Sequence, residues 1–285
     1  MRLSAELSPN CPPEEIANHA WAIEAYGFAR IWVRDMISVP WESWVAATSV
    51  ALATKNIRIG LDVTNVYTRS VAVTAHAAAT LDRISGGRLD LGFGRGIAPH
   101  LAMLGIRPHK GALEEGIKRV RQLLMGKAVQ MDKAPLKLAL TPRQESVPIY
   151  IAALEEGDFR TAAKLADGVL TISANERFLL KAMGWLKESL GRRPLIPVAT
   201  WIPFSASEEA LINDARRILK FRPPRTLKVM GLDTKGTKAG ELKESFAIHG
   251  VYDLAQKIER LEAIGISEII LEYLALSDLS LVSLP

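Results

Sequence analysis

The chain has 285 residues, of which 48% are hydrophobic and 24% are charged. It contains no run of eighteen consecutive apolar residues, so the composition excludes a disordered chain, a membrane-spanning helix and a long coiled coil. A chain of this length buries about three quarters of its unfolded surface, which is enough for one large core. We therefore expect a single globular domain over residues 1–285.

The charged residues comprise 36 basic and 31 acidic side chains, a net charge of +5. Basic and acidic residues alternate along the predicted helices, as in residues 114–121, so we expect no nucleic-acid partner and no membrane partner. The single cysteine, Cys11, cannot form an internal disulfide, and the first residues do not resemble a signal peptide. These features predict a cytoplasmic protein.

Apolar periodicity predicts short strands that alternate regularly with longer helices. The predicted strands are Arg2–Leu7, Phe28–Arg34, Ile57–Thr64, Arg88–Gly94, Val147–Ala153, Gly168–Ile172, Ile196–Ile202 and Ser267–Leu274. The predicted helices are Pro13–Tyr26, Glu42–Ala53, Val71–Ile84, Leu113–Met125, Phe159–Ala166, Glu176–Leu190, Ser207–Phe221 and Tyr252–Ile264. Because eight such units fit in one domain, we expect an α/β fold, a closed (β/α)8 TIM barrel.

Two segments fall outside the eight units. Ala128–Leu140 reads as an extended excursion, and Pro223–Phe246 is rich in Gly, Lys and Thr. We expect both insertions near the C-terminal mouth of the barrel. Active sites of TIM barrels form at that mouth, from residues that follow the strands.

One carboxylate interrupts an apolar strand. Asp62 lies within the run Ile59–Val63, where a buried carboxylate must find a partner. The same residue could instead point outward or cap a backbone turn. Glycines 92, 94 and 96 alternate at the end of the fourth strand, which allows either a flat ligand or tight packing of the barrel layers.

The five histidines show no metal-binding spacing, and a metal site is not expected. His100 and His109 are expected on a long loop after the fourth strand, either as acid or base groups or as solvent-exposed residues. The glycine pattern matches neither a dinucleotide fingerprint nor a P-loop, since position 97 is Ile and residues 126–128 read Gly-Lys-Ala. A nicotinamide site is therefore unsupported.

A long motif gives the chain a family resemblance. Residues 80–96, TLDRISGGRLDLGFGRG, resemble the signature of the bacterial luciferase-like superfamily. Residues 63–69, VTNVYTR, resemble one branch, the coenzyme F420-dependent 5,10-methylenetetrahydromethanopterin reductases. Residues 5–9, 148–153, 166–169 and 245–271 also resemble that branch, so the similarity spans nearly the whole chain.

The resemblance implies a TIM barrel that binds coenzyme F420, or alternatively FMN, at its mouth. It further implies that a hydride passes between the coenzyme ring and a small substrate such as a methanopterin. Members hold the ring against a non-prolyl cis peptide, and the matching bond joins Asp62 to Val63. Glu6 matches a glutamate near the reacting carbons that could handle the accompanying proton. The implied coenzyme contacts are Asp35, Asp62, Val63, Thr64, Asn65, Gly94, Gly96, Ala153, Leu154 and Gly157. Members usually pair, so a homodimer or higher homo-oligomer is expected.

The chain departs from the family pattern at two places. Asp35 is followed by Met36, where many members have histidine, which favours the reductase branch. Residues 154–158 contain three carboxylates in a segment where members hold the coenzyme phosphate at a helix start. These carboxylates repel a phosphate unless Arg160 or another cation offsets them. An FMN-dependent monooxygenase and a diverged, non-catalytic barrel remain alternatives.

Overall fold

The computed structural model describes residues 1–205, 227, 247–272 and 279–282. Within them, the strands are β1 (Arg2–Leu7), β2 (Arg30–Arg34), β3 (Arg58–Thr64), β4 (Leu89–Phe93), β5 (Val129–Gln130), β6 (Pro135–Leu136), β7 (Ile149–Ala152), β8 (Gly168–Ile172), β9 (Val198–Ser205), β10 (Ile248–His249) and β11 (Glu268–Glu272). The helices are α1 (Pro13–Ala25), α2 (Ser43–Ala53), α3 (Val71–Ile84), α4 (Ala98–Met103), α5 (Ala112–Leu124), α6 (Glu156–Leu165), α7 (Glu176–Leu190), α8 (Gly250–Ile264) and α9 (Leu279–Val282).

Eight parallel strands close into a ring in the order β1-β2-β3-β4-β7-β8-β9-β11, and β11 pairs again with β1. β10 extends β9 at its C-terminal end, where Ile248 pairs with Phe204. The (β/α)8 TIM barrel predicted from the alternating elements is therefore confirmed. All eight predicted barrel strands are present; β1 and β8 have the predicted ends, and the other six have ends shifted by a few residues.

Several helices begin at a residue whose side chain caps the first turn. Glu42 caps α2 by accepting hydrogen bonds from the backbone N–H groups of Trp44 and Val45 at 2.8 and 2.9 Å. Ser70 and Asn175 cap α3 and α7 in the same way. Such caps satisfy N–H groups that have no partner inside the helix.

Two parts of the prediction need correction, and a third part falls outside the residues that the structure describes. The loop after β4 contains the short helix α4, so His100 is helical, while His109 stays on the loop. The segment Ala128–Leu140 forms the antiparallel ribbon β5–β6, not a cover over the mouth. The predicted helix Ser207–Phe221 and the segment Pro223–Phe246 lie outside the described residues, apart from Leu227.

The position of the ribbon follows from the direction of the chain. α5 runs back along the barrel, so the residues after it return to the N-terminal ends of the strands. The chain that leaves the ribbon contacts this end, because Arg83 Nε donates to the carbonyl oxygen of Thr141 at 2.8 Å and Gln144 Nε2 donates to that of Leu89 at 2.8 Å. The expectation that residues 128–140 lie near the mouth was therefore wrong.

The interior of the barrel near the N-terminal ends of the strands is charged. Arg30 is 2% exposed, and its guanidinium contacts Glu268 at 3.0 Å and Asp90 at 2.9 Å. Arg58 forms a second pair with Asp90 at 2.6 Å, and Trp32 Nε1 donates to Glu268 at 2.9 Å. We call Arg30, Arg58, Asp90 and Glu268 the lower ionic layer; its two positive charges balance its two negative charges.

Large aromatic rings fill the level next to this layer. Trp32 and Tyr150 meet edge to face with their ring centroids 5.3 Å apart. Each needs a glycine beside it: a Cβ at Gly60 would lie 2.0 Å from the ring of Trp32, and a Cβ at Gly168 would lie 2.2 Å from that of Tyr150. The barrel is thus closed by side chains below the mouth, and only its C-terminal end is available to a ligand.

Candidate functional site

Four buried side chains and one partly buried arginine, from five strands, form the floor of the mouth. They are Glu6 on β1, Arg34 on β2, Asp62 on β3, Trp201 on β9 and Glu272 on β11. Arg34 Nη2 donates to Glu6 Oε2 at 2.7 Å and to Glu272 Oε1 at 2.5 Å, and Arg34 Nε also donates to Glu6 Oε1. One guanidinium therefore joins two carboxylates, and we call these five residues the mouth cluster.

The surroundings of Asp62 strongly perturb its pKa. Burial raises the pKa of Asp62 well above its ordinary value, and the charge of Glu6 raises it further. Arg34 lowers this pKa, Glu272 raises it, and the indole of Trp201 lowers it. Asp62 therefore keeps its proton to a higher pH than an ordinary aspartic acid does.

The peptide bond between Asp62 and Val63 is cis, at the bond for which the family resemblance implies one. Val63 packs against the glycines of β4: a Cβ at Gly92 would lie 2.8 Å from Val63 Cγ1, and a Cβ at Gly94 would lie 2.7 Å from Val63 Cγ2. Gly96 has φ +75°, and a Cβ there would lie 2.9 Å from Leu101. The space at Gly94 and Gly96 is thus filled by this chain's own side chains, so a ring could meet these two residues only through their backbone.

Asp35 and Thr64 lie beside the cis bond. The backbone N–H of Asp35 donates to the carbonyl oxygen of Asp62 at 2.9 Å. Burial is the largest influence on Asp35 and raises its pKa, and the charge of Glu42 raises it further. Hydrogen bonds from Thr64 and Ser43 and the charge of Arg69 lower this pKa but do not cancel the rise. The structure therefore brings Asp35, Asp62, Val63 and Thr64 together at one rim of the mouth.

Asn65 has a structural contact of its own. Its side-chain oxygen accepts hydrogen bonds from the backbone N–H groups of Tyr67 and Thr68 at 3.0 and 2.9 Å. This arrangement is an Asx turn, which directs the chain from β3 toward α3. The side-chain oxygen of Asn65 is thus engaged within its own loop.

The start of α6 lies at the adjacent rim, after β7. Asp158 accepts hydrogen bonds from the backbone N–H groups of Leu154 and Glu155, both at 3.2 Å, and the side chain of Glu155 completes a capping box. Arg95, which follows β4, forms an ion pair with Asp158 at 2.7 Å. Arg160 pairs with Glu156 at 2.5 Å. The cation that offsets Asp158 is therefore Arg95, not Arg160.

Two further predicted contacts lie in this segment. Ala153 is fully buried, whereas Gly157 is exposed and a Cβ there would lie 4.0 Å from Arg95 Nη2. Burial raises the pKa of Asp158, while Arg95 and the two backbone N–H groups lower it and Glu155 raises it. The backbone N–H groups of Leu154 and Glu155, just before this helix start, are thus already bound to the carboxylate of Asp158.

Sequence reasoning missed Arg34, Trp201 and Glu272. Arg34 was assigned only as the end of a strand, and Glu272 as part of an apolar one. A signal was present, since Arg30 and Arg34, like Glu268 and Glu272, stand four residues apart in strands with otherwise apolar neighbours. Even spacing in a strand places both residues of each pair on the same face, here the barrel interior.

Among the described residues, no helix combines the length and hydropathy needed to cross a membrane. The same part of the chain contains no group of three or more His, Cys, Asp or Glu side chains arranged to hold a metal ion.

The closed barrel and its polar mouth define a TIM-barrel protein with one candidate site. Residues 1–219 match the family model described as luciferase-like monooxygenase, and the chain belongs to this family. It is 30% identical over 219 residues to the 5,10-methylenetetrahydromethanopterin reductase of Methanolobus tindarius, covering 74% of this chain and 67% of that protein. It is 28% identical over 308 residues to the reductase of the same name from Archaeoglobus fulgidus, covering 95% and 92%.

Solved structures give the same result for the fold. The coenzyme F420-dependent tetrahydromethanopterin reductase from Methanopyrus kandleri superposes with a TM-score of 0.85 at 25% identity, covering 99% of this chain and 97% of that chain. An F420-dependent secondary alcohol dehydrogenase in complex with an F420–acetone adduct superposes with a TM-score of 0.77 at 20% identity, covering 95% and 92%.

Proposed function

We propose that this protein is an oxidoreductase that transfers a hydride between coenzyme F420 and a small substrate, as a 5,10-methylenetetrahydromethanopterin reductase does. The observation that carries this proposal is the mouth cluster, which places Glu6 and Asp62 at the open end of a barrel that is closed everywhere below. Sequence relatives named as reductases of this substrate support the choice of reaction. Glu6 is the proposed catalytic residue.

The backbone at the end of β3, with its cis bond between Asp62 and Val63, is the proposed support for the ring of a deazaflavin. The backbone of residues 62–64 would hold the ring, with Asp35 and the loop at Asn65 beside it. The indole of Trp201 is buried in the mouth cluster, where it lowers the pKa of Asp62. When bound, a reduced deazaflavin supplies a hydride and one proton to the reaction.

The start of α6 suits a phosphate less well. An incoming phosphate would have to displace the Asp158 carboxylate from the N–H groups of Leu154 and Glu155. Arg95, whose side chain is 58% exposed, would then be the cation closest to the displaced position. We propose Ala153, Leu154 and Gly157 as coenzyme contacts only in that rearranged state.

Replacing Asp158 with asparagine should therefore tighten coenzyme binding. D158N removes one negative charge and frees Arg95, while the amide oxygen still accepts the cap hydrogen bonds; we expect Kd for F420 to fall about tenfold at low salt. Because the pKa of Asp158 is raised, the wild-type affinity should also improve as the pH falls, and that of D158N should not.

Fluorescence titration at several pH values measures both effects. The matched control is E156Q, which removes a carboxylate of the same helix start that is paired with Arg160. It should change Kd by less than about twofold. Equal affinities of D158N and the wild type would contradict the proposed position of the phosphate.

Absorbance titration tests the proposed function itself. The purified protein should bind F420 saturably and oxidise the reduced coenzyme in the presence of a methylene-bridged pterin. Saturable binding of FMN alone would favour the FMN-dependent monooxygenase reaction instead. Binding of neither coenzyme would favour a diverged, non-catalytic barrel, for which the capped start of α6 is the main support.

We further propose that residues 1–285 form a single cytoplasmic domain that pairs as a homodimer through α2. Residues 43–53 contain no charged side chain, and α2 leaves Val45 and Leu52 55% and 75% exposed. Trp21 on the neighbouring helix α1 is 64% exposed. An uncharged helix with apolar residues on its outer face suits burial against a second copy.

Replacing Leu52 with glutamate should disrupt that pair, because it puts a charge at the centre of an apolar contact. Light scattering after size-exclusion chromatography should show a dimer for the wild type and a monomer for L52E. The control L180E changes an equally apolar, 58% exposed residue on α7 and should remain dimeric. A monomeric wild type would contradict the proposal.

A further inference from the structure

Two carboxylates of the mouth cluster stand side by side. β1 and β11 pair in parallel, with Ala5 opposite Leu271. The next residues along these strands are Glu6 and Glu272, so the two carboxylates lie at the same level on neighbouring strands. Neighbouring strands are about 4.8 Å apart, and like charges facing each other at this distance repel. A cation is therefore needed to keep the two side chains together in one arrangement.

Arg34 supplies this cation from β2, the strand on the other side of β1. Its Nε and Nη2 donate to the two oxygens of Glu6, the second bond at 2.7 Å, and Nη2 also donates to Glu272 Oε1 at 2.5 Å. A planar guanidinium that donates to both oxygens of a carboxylate fixes its orientation as well as its position. Glu6 is thus held in one orientation by a group that is itself held by Glu272.

The same two strands carry a similar pair four residues earlier, Arg30 on β2 and Glu268 on β11. The side chains of that lower pair are 3% and 1% exposed, so no ligand can reach them. The side chain of Arg34 is 20% exposed and that of Glu6 is 2% exposed, at the open end of the barrel. The lower pair is therefore structural, whereas the upper pair lies where a ligand enters.

Fixing Glu6 has a direct consequence for catalysis. A glutamate side chain has several rotatable bonds, and an unrestrained one occupies several rotamers. A catalytic group that is displaced by about 1 Å can lose about 100-fold in rate. Residues that lock the rotamer of a catalytic side chain therefore contribute to the rate without touching the substrate.

We propose that Arg34 is the positioning residue of Glu6 and that Glu272 is the anchor that holds Arg34 in place. This proposal rests on the proposed function, in which Glu6 handles the proton of the reaction. Arg34 itself takes no part in proton transfer, because a guanidinium in a protein does not lose its proton. Its fork uses one lone pair on each oxygen of Glu6, so each oxygen keeps another for the proton.

A double-mutant cycle in kcat tests whether Arg34 acts through Glu6. Arg34→Lys keeps the charge but loses the fork, so kcat should fall about 100-fold while Kd for F420 changes by less than about threefold. In the E6Q background, R34K should lower kcat by less than about a further threefold, because no carboxylate is left to position. A merely structural role would cost the same factor in both backgrounds. The control R119K changes an exposed arginine of α5 and should leave kcat unchanged.

Chemical rescue keeps the proposal falsifiable if lysine repacks in place of the arginine. Guanidinium ion, added below the concentrations that unfold the protein, should raise kcat of R34A at least about tenfold by occupying the vacated position. Urea or sodium chloride at the same concentration should not. Glu272→Gln leaves the fork to Glu6 in place but weakens its anchor, so kcat should fall about five- to tenfold.

The fork can also be measured without activity, in the protein without coenzyme. The Nε–H signal of Arg34 in a proton–nitrogen correlation NMR spectrum is assigned by its absence in R34K. Because this N–H donates to Glu6, E6Q should shift the signal and speed the exchange of its proton with water. The control E115Q, on the outer surface of α5, should do neither.

Four results would overturn the role of Arg34. They are wild-type turnover in R34K, an equal loss from R34K in both backgrounds, no rescue of R34A by guanidinium, and an Nε–H signal that E6Q leaves unchanged. Wild-type turnover in E272Q would overturn the role of Glu272. A wild-type protein that binds no deazaflavin would instead overturn the proposed function. The NMR comparison would still show whether Arg34 holds Glu6, so the two failures can be distinguished.

Discussion

Replacing Glu6 with glutamine should lower kcat by about 100-fold or more while leaving the affinity for F420 within about threefold of the wild type. Glutamine has nearly the shape of glutamate but no charge. The variant therefore removes the carboxyl group proposed to handle the proton of the reaction, and it replaces an acceptor of Arg34 with an amide. The coenzyme contacts proposed at β3 and α6 are unchanged.

Steady-state kinetics and a fluorescence titration measure the two quantities separately. The matched control is E115Q, since Glu115 pairs with Arg119 on the outer surface of α5 and its side chain is 57% exposed. It should leave kcat unchanged. Turnover of E6Q at the wild-type rate would show that Glu6 is not catalytic, and a large loss of coenzyme affinity would place Glu6 in the binding site instead.

Replacing Arg30 with methionine should lower the free energy of unfolding by about 3 to 5 kcal/mol, because it leaves Asp90 and Glu268 buried without their shared counter-ion. Both carboxylates are 1% exposed, so water cannot take the place of the guanidinium. Arg58 would still contact Asp90 at 2.6 Å, and the half-exposed Arg2 would remain 3.8 Å from Glu268. Methionine fills much of the space that the arginine stem occupies, so the loss reports mainly on charge.

Urea-induced unfolding followed by circular dichroism measures this effect. The control R119M breaks an exposed ion pair of α5 and should change the free energy of unfolding by less than about 0.5 kcal/mol. A loss below about 1 kcal/mol in R30M would mean that the lower ionic layer adds little to stability.

Much of the fold could be predicted from the sequence, because short and largely apolar runs alternate regularly with segments of helical periodicity. The ends of β1, β8, α3 and α7 coincide with the predicted ones. α4 was missed because a six-residue helix carries too little periodicity to stand out from a loop. The ribbon at residues 129–136 was placed at the wrong end, because the pattern of a segment does not show where the preceding helix delivers the chain.

The candidate site was only partly predictable. Asp62 could be found because a carboxylate inside an apolar run is anomalous on its own. Its partners could not, because they come from distant parts of the chain: Arg34 and Glu272 are 238 positions apart. Which strands become neighbours is decided by closure of the barrel, and closure is not visible in any local window. The glycines at positions 94 and 96 were identified, but their packing against Val63 and Leu101 required the three-dimensional contacts.

The ion pair between Arg30 and Glu268 also sets a condition on folding during synthesis. Its two residues are 238 positions apart in the chain. At translation rates of about 5 to 20 residues per second, Arg30 is made roughly 12 to 48 s before Glu268. The nascent chain therefore carries an arginine destined for the interior without one of its two carboxylate partners, and the ring of strands stays open between β1 and β9 until β11 is synthesised.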